Sequence, residues 1–337
     1  MKVVCFETAP WERRYLARAL APHTSHLRLI PAPLTDETVR PAAQAEILSV
    51  FIYSTLTRPI LAKLPRLRCL VTRSTGVDHI DLSACRTRRI VVSNVPSYGE
   101  NTVAEHTFAL ILALSRNIHK AYVKTIKGDF SLAGLQGFDL KGKTLGVVGG
   151  GHIGLHVIKM AKGFGMAVLV HDVRKNVFLS EVLDFRYVPL ETLLRRSDIV
   201  SLHVPYTPAT HHLMSRAAFR LMKRGALFIN TARGGLVDTD ALVWALDEGM
   251  LGGAGLDVLE GEELVKEERQ LLSKDFPKDK LATALKNHIL LHRENVVITP
   301  HIAFDSREAL QRILETTVTN ITGFLAGSPV NVVAAVR

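Results

Sequence analysis

The segment Val147-Val148-Gly149-Gly150-Gly151-His152-Ile153-Gly154 constrains this chain more than any other. Thr144-Leu145-Gly146-Val147-Val148 reads as a buried strand leading into it, and Leu155-His156-Val157-Ile158-Lys159-Met160-Ala161 as the helix that follows. Gly149, Gly151 and Gly154 form a G-x-G-x-x-G pattern. Such glycines allow a tight turn, a close approach of backbone to a pyrophosphate, and close helix–strand packing. The N–H groups of His152 and Ile153 at the helix start would receive the pyrophosphate. A second apolar strand, Ala167-Val168-Leu169-Val170-His171, ends at Asp172, eighteen residues past Gly154. That is where a carboxylate meets an adenosine ribose 2′-hydroxyl. A glycine triplet alone is usually a loop. Strand, glycines, helix, strand and acid in register make a dinucleotide site.

A chain of 337 residues exceeds a typical single domain, and 47% hydrophobic residues suffice for two cores. The start, Met1-Lys2-Val3-Val4-Cys5-Phe6, reads as a strand rather than a charged-then-apolar leader. No apolar run approaches the roughly 18 residues a membrane span needs. Cys5, Cys69 and Cys85 are odd in number and lack C-x-x-C spacing. Neither a disulfide framework nor a metal site is expected, and a reducing cytoplasm is the expected compartment. The net charge of +10 raises nucleic acid as a partner. The bases, however, lie in small groups such as Arg86, Arg88 and Arg89, or Arg195 and Arg196, with no aromatic-interleaved stripe. A solvated basic surface, drawing in an anionic cofactor and an anionic substrate, is the expectation.

Short apolar runs at 3–7, 47–53, 69–73 and 90–93 read as strands. A long helical pattern then extends from Asn101 to about Lys127, apolar at Val103, Phe108, Leu110, Ile111, Leu114 and Ile118. Glu105 and His106 lie in its first turns. Beyond the glycines, strands at 199–204, 227–230, 253–257 and 296–299 alternate with helices near 191–195, 215–221 and 239–248, and a last helical pattern covers 306–325. Such alternation implies parallel sheets covered on both faces. Because roughly 140 residues precede the glycine motif, the fold class expected is α/β with two doubly wound parallel-sheet domains. A Rossmann nucleotide domain, 101–302, is inserted into a flavodoxin-like substrate domain made of 1–100 plus 303–337. The acid- and base-dense stretch 260–280 reads as a surface insertion. The long helix is apolar on more than one side, and that surplus predicts burial against a second copy in a twofold dimer.

Three strand-end segments carry candidate chemistry: Asn230-Thr231-Ala232-Arg233-Gly234-Gly235, Gly255-Leu256-Asp257 with Glu260, Glu262 and Glu263 after it, and Thr299-Pro300-His301-Ile302-Ala303-Phe304. Ligands of open parallel sheets bind at the carboxyl ends of strands. An Arg can clamp a carboxylate bidentately, a His can exchange a proton with an oxygen at C2, and a Glu beside that His keeps imidazolium available. Singly, each has a plainer account: a capping histidine, a turn arginine, a solvated acid. Together they supply what hydride transfer to a 2-keto acid requires. Chemistry alone does not separate Glu260, Glu262 and Glu263.

The blocks Ser74-Thr75-Gly76-Val77-Asp78-His79-Ile80-Asp81, Asn94-Val95-Pro96-Ser97-Tyr98, Thr102-Val103-Ala104-Glu105-His106, Ser201-Leu202-His203-Val204-Pro205-Tyr206-Thr207, Asn230-Thr231-Ala232-Arg233-Gly234 and Thr299-Pro300-His301 join the glycine motif along nearly the whole chain. Together they resemble the D-isomer-specific 2-hydroxyacid dehydrogenases, with the D-lactate branch nearest. The resemblance implies NAD as cofactor and Arg233, Glu262 and His301 as the catalytic set, with Glu262 preferred for standing twenty-nine residues after Arg233. It implies cofactor contacts at Gly149, Gly151, His152, Ile153, Gly154, Asp172, Val204, Pro205, Thr210, Thr231, Ala232 and Asp257. Thr75 and Gly76 would offer N–H groups to the substrate carboxylate, and Tyr98 and Phe304 would form an aromatic pocket that leaves room for a methyl group. Thr75 departs from the family's Val. Pyruvate reduction to D-lactate is the activity implied, in a homodimer formed through nucleotide domains. The alternatives are a glyoxylate or hydroxypyruvate reductase, a phosphite dehydrogenase, or a non-catalytic NAD-sensing partner protein, which would need the glycines but not Arg233, Glu262 and His301.

Overall fold

Five apolar runs in the first hundred residues form strands, and the central three bury both of their faces. They are β1 (Val3–Cys5), β2 (Leu27–Leu29), β3 (Ile47–Val50), β4 (Cys69–Thr72) and β5 (Val91–Ser93), joined through helices α1 (Pro10–Leu20), α2 (Arg58–Ala62) and α3 (Leu82–Thr87). All five strands run parallel, in the order β2-β1-β3-β4-β5. This is the doubly wound order of flavodoxin-like sheets. The computed structural model describes residues 1–261 and 278–334. It divides into two compact units, Met1–Gly99 with Asp305–Arg337, and Glu100–Phe304.

The second unit contains α4 (Glu100–Ser115), α5 (Ile118–Ile126), β6 (Thr144–Val148), α6 (His152–Gly163), β7 (Ala167–His171), α7 (Val177–Val182), β8 (Arg186–Tyr187), α8 (Leu190–Arg196) and β9 (Ile199–Leu202). After these come α9 (Arg216–Leu221), β10 (Ala226–Asn230), α10 (Thr239–Asp247), β11 (Leu251–Leu256), α11 (Lys278–Leu291) and β12 (Val296–Ile298). Its sheet is parallel throughout, ordered β12-β11-β10-β9-β6-β7-β8. Counted from β6, that is the Rossmann order with one strand added, and the chain reverses direction across the sheet at β6. One face of this sheet, with Val147, Val170 and Ile229, packs on Phe108, Ile111, Val157 and Ile158 of α4 and α6. The other, with Leu202, Phe228 and Leu256, packs on Leu194, Phe219, Leu242 and Leu290.

The chain then returns to the first unit as α12 (Arg307–Leu325) and β13 (Val332–Ala334). Leu314 and Ile321 of α12 join Leu16 and Leu20 of α1 over Cys5, Ile47 and Val71, while α2 and α3 cover the opposite face through Leu61 and Cys85. β13 lies antiparallel to β5 at the sheet edge, so this sheet is not parallel throughout. Cys5, Cys69 and Cys85 are free thiols, and burial pushes them up to about 11, 12 and 11. No described helix is long and apolar enough to cross a membrane.

Two expectations are corrected. The helix predicted from Asn101 to about Lys127 is two helices, because Asn117 adopts a left-handed backbone (φ 52°) between α4 and α5. Asn accepts that conformation more readily than most residues. Its Nδ2 donates to Gln136 O at 3.0 Å, and Phe138 N donates to Ser115 O at 2.9 Å, so Phe138 takes the carbonyl that a continuous helix would have used. The apolar surplus of α4 also needs no second copy to cover it. Val103, Phe108, Leu110, Ile111 and Leu114 are buried within the chain, and Leu112 packs against the same core.

Candidate active site

The glycine loop follows β6 at the switch point. Gly149 has φ 103°, and a Cβ there would lie 2.6 Å from His203 O; at Gly154 it would lie 2.0 Å from Gly149 O. Both positions therefore exclude a side chain. Around Gly151 the same test meets nothing within 4 Å, which leaves open space where a pyrophosphate would approach. Gly151 caps α6 with no side chain, so the first N–H groups, of His152 and Ile153, stand at an uncapped helix start. Asp172 is fastened beside this loop: Oδ2 accepts Gly150 N at 2.7 Å and Oδ1 accepts Arg174 N at 2.8 Å. One donor on each oxygen leaves lone pairs for a ribose hydroxyl. Glu100 Oε1, at the start of α4, lies 3.6 Å from His152 Nδ1. Gly151, Asp172 and the helix start fit an NAD molecule.

The loop after β9 packs behind Gly149. His203 donates or accepts at 2.9 Å with Ser201 Oγ. Although the residue is only partly buried, desolvation of its ring pushes the imidazole down to about 3, so it is neutral at any physiological pH. Val204 and Pro205 follow. Thr210 braces their turn, its hydroxyl donating to Pro205 O at 2.8 Å and accepting Thr207 N at 2.8 Å.

Three neighbouring strands, β10, β11 and β12, then deliver Arg233, Asp257 and His301 at their carboxyl ends. Asn230 brackets the first turn, with Oδ1 accepting Ala232 N at 3.0 Å and Nδ2 donating to Arg233 O at 2.9 Å. Arg233 is partly buried, and its Nη1 donates to Ala232 O at 2.7 Å. Thr231 pairs with Thr107 of α4, hydroxyl to hydroxyl, at 2.9 Å. Asp257 is 1% exposed. Its carboxylate accepts Thr299 Oγ1 at 2.5 Å, Ile302 N at 2.9 Å and Ala303 N at 2.9 Å, so it organises the turn that carries His301. His301 itself has φ 57°, a left-handed conformation that costs a non-glycine residue roughly 1–2 kcal/mol. Its N–H reaches both Asp257 O and Thr299 O at 2.9 Å. The Phe304 ring stands edge-on to the imidazole, with centroids 6.5 Å apart.

In the first unit, Thr75 and Gly76 follow β4 and Tyr98 follows β5. Thr75 Oγ1 donates to Val95 O at 2.7 Å, Asn94 Nδ2 donates to Thr75 O at 2.8 Å, and Ser74 Oγ donates to Gly76 O at 2.7 Å. Arg312 Nε holds Tyr98 O at 2.6 Å. Three hydrogen bonds thus brace the loop after β4, and one holds the loop after β5. Glu262 lies outside the described residues. Glu260 is within them, and its carboxylate is engaged by His212 Nε2 at 2.6 Å and Thr239 Oγ1 at 2.7 Å. Burial raises its pKa, but hydrogen bonds from His212 and Thr239 outweigh that, leaving it below the usual carboxylate range.

His106, Asn230 and Thr299 stand in sequence blocks that assign them no role, and no motif points to Glu100. His106 stood in the Thr-Val-Ala-Glu-His block, and Thr299 immediately preceded Pro300-His301. Nothing local tied the two together.

Comparison with known proteins adds to this geometry. Residues 108–303 match the family model "D-isomer specific 2-hydroxyacid dehydrogenase, NAD binding domain". The chain is 35% identical over 329 residues to the D-lactate dehydrogenase of Escherichia coli K12, covering 97% of this chain and 98% of that one. A glyoxylate reductase of Korarchaeum cryptofilum is 40% identical over 292 residues, covering 84% of this chain and 82% of the relative. Among solved structures, D-lactate dehydrogenase from Aquifex aeolicus, complexed with NAD and lactic acid, superposes with a TM-score of 0.87. Its identity is 39%, covering 97% of this chain and 96% of that one.

Proposed function

Since this chain belongs to the D-isomer-specific 2-hydroxyacid dehydrogenases and is an NAD-dependent oxidoreductase, we propose that its substrate is pyruvate, reduced to D-lactate. The observation that carries this reading is the alignment of Arg233, Asp257 and His301 on three adjacent strand ends, with the Phe304 ring edge-on to His301. Arg233 clamps the keto-acid carboxylate and polarises the carbonyl. His301 gives its proton to the carbonyl oxygen as C2 is reduced, and Glu262 sustains the imidazolium. Bound NADH supplies the hydride that C2 takes up. Asp257 holds the His301 turn by backbone N–H groups, so the proton donor is positioned before substrate binds. Thr75, Gly76 and Tyr98 are the proposed substrate contacts of the first unit. Gly149, Gly151, His152, Ile153, Gly154, Asp172, Val204, Pro205, Thr210, Thr231, Ala232 and Asp257 are the proposed cofactor contacts.

A second reading is supported by the 40% identical glyoxylate reductase: a smaller keto acid, with hydrogen in place of the methyl group. A panel of pyruvate, glyoxylate, hydroxypyruvate and 2-ketoisocaproate assayed with NADH decides between them. The highest kcat/KM is expected for pyruvate, and a higher value for glyoxylate overturns that choice. In the same assay His301→Ala should lose about 100- to 10,000-fold in kcat while NADH binding survives; near-normal turnover removes His301 from the mechanism. Three free, buried thiols suit a reducing cytoplasm. A homodimer belongs to the proposal as well. It is supported by exposed apolar side chains on α5 and just after it: Ile118, Tyr122, Ile126, Phe130 and Leu132.

A further inference from the structure

We propose that His106 is a positioning residue for the proton donor, acting on His301 through Thr299 and Asp257; this rests on the catalytic reading of His301 given above. His106 Nε2 lies 2.9 Å from Thr299 Oγ1 and 3.5 Å from Asp257 Oδ1. Thr299 Oγ1 has one hydrogen, and it points to Asp257 Oδ1 at 2.5 Å. An ionised carboxylate cannot donate, so Thr299 can only accept from His106. Nε2 therefore carries a hydrogen. The direction of the chain is settled: His106 Nε2–H to Thr299 Oγ1–H to Asp257 Oδ1.

The same Asp257 carboxylate accepts Ile302 N and Ala303 N. Asp257 O and Thr299 O together receive the N–H of His301. The backbone hydrogen bonds of the left-handed His301 thus go to Thr299 and Asp257, and His106 reaches both from a separate element, 193 residues earlier than Thr299 in the chain. α4 is itself anchored by Phe108, Leu110 and Ile111 in the core. His106 transfers that rigidity to the turn. It touches no reacting atom in this scheme, and its effect is exerted on where the imidazole of His301 points.

Three variants test it in the full-length enzyme with pyruvate and NADH: His106→Leu, His106→Gln and Thr299→Val. His106→Leu removes the donor, whereas His106→Gln keeps an N–H near the position of Nε2. His106→Leu should lower kcat about tenfold or more while the NADH Kd, read by protein fluorescence, stays within about twofold. His106→Gln should recover most of that loss, and the solvent deuterium isotope effect on kcat should rise in His106→Leu. Because the two groups act in series, His106→Leu with Thr299→Val should be no slower than the worse single variant. A His106→Leu kcat within twofold of the parent, no rescue by His106→Gln, or multiplying losses in the double variant each overturn the proposal. If His106→Leu does not fold, Thr299→Ser against Thr299→Val carries the same test, since Ser keeps the hydroxyl; equal kcat values overturn it. Failure of the catalytic reading is separable, because His301→Ala would then retain turnover whatever the His106 variants do.

Discussion

Glu260 and Glu262 stand two residues apart with the same functional group, and their neighbours set what each can do. Glu260 is spent on His212 and Thr239. Glu262 is therefore the acid proposed to sustain the charge on His301. A carboxylate partner raises an imidazole pKa, and reduction needs imidazolium, so activity should extend to higher pH than a lone histidine permits. Glu262→Gln should move the alkaline limb of the kcat/KM profile for reduction to lower pH, and Glu260→Gln should leave it in place. The opposite pattern in the two profiles would show that the acids had been assigned the wrong way round. Types of residue at strand ends were visible in the sequence; which acid faced which partner was not.

Strands, helices and the glycine turn follow from short-range patterns, and their failures have local causes too. β2 (Leu-Arg-Leu) and β8 (Arg-Tyr) are short and carry an exposed arginine, so neither shows as an apolar run. α4 ends where Phe138 and Asn117 claim backbone groups, a matter settled by a segment beyond α5. The loop after β9 shows an element-scale consequence of burial. His203 is held neutral, with its pKa pushed from the ordinary 6.5 down to about 3. Between those values the unfolded chain takes up a proton that the folded chain refuses, so stability present above pH 6.5 is lost as pH falls toward 3, by at most about 1.4 kcal/mol per pH unit. Replacing His203 with Gln should flatten the fall of denaturation midpoint across that window relative to the parent. Parallel slopes would show that the ring does not carry the effect.

At the scale of the whole chain, the first unit is assembled from both ends of the sequence, with α12 sealing one face of its sheet and β13 extending its edge. Tail truncation would strip apolar cover from β1, β3 and β4. The second unit keeps α4 for its own core, so the case for a dimer moves to α5 and the residues after it. Phe130 is 78% exposed and Leu132 85% exposed, beside Tyr122 and Ile126. Light scattering at micromolar concentration should give twice the chain mass of 37.2 kDa. Ile126→Asp with Phe130→Asp should return it to the single-chain value without altering the fold. A parent protein already at the single-chain mass ends the dimer proposal.

What the sequence determined was whatever depends on neighbours along the chain: the glycine turn between β6 and α6, the acid closing β7, the alternation that makes both sheets doubly wound, and the residue types at the strand ends. Those features arise from backbone sterics and from apolar periodicity over a few residues. Tertiary structure alone decided the antiparallel β13, the break at Asn117, the engagement of Glu260 and the line from His106 through Thr299 to Asp257. Each of these is a hydrogen bond or a packed face between segments far apart in sequence, and directional contacts of that kind leave no periodic trace in either partner.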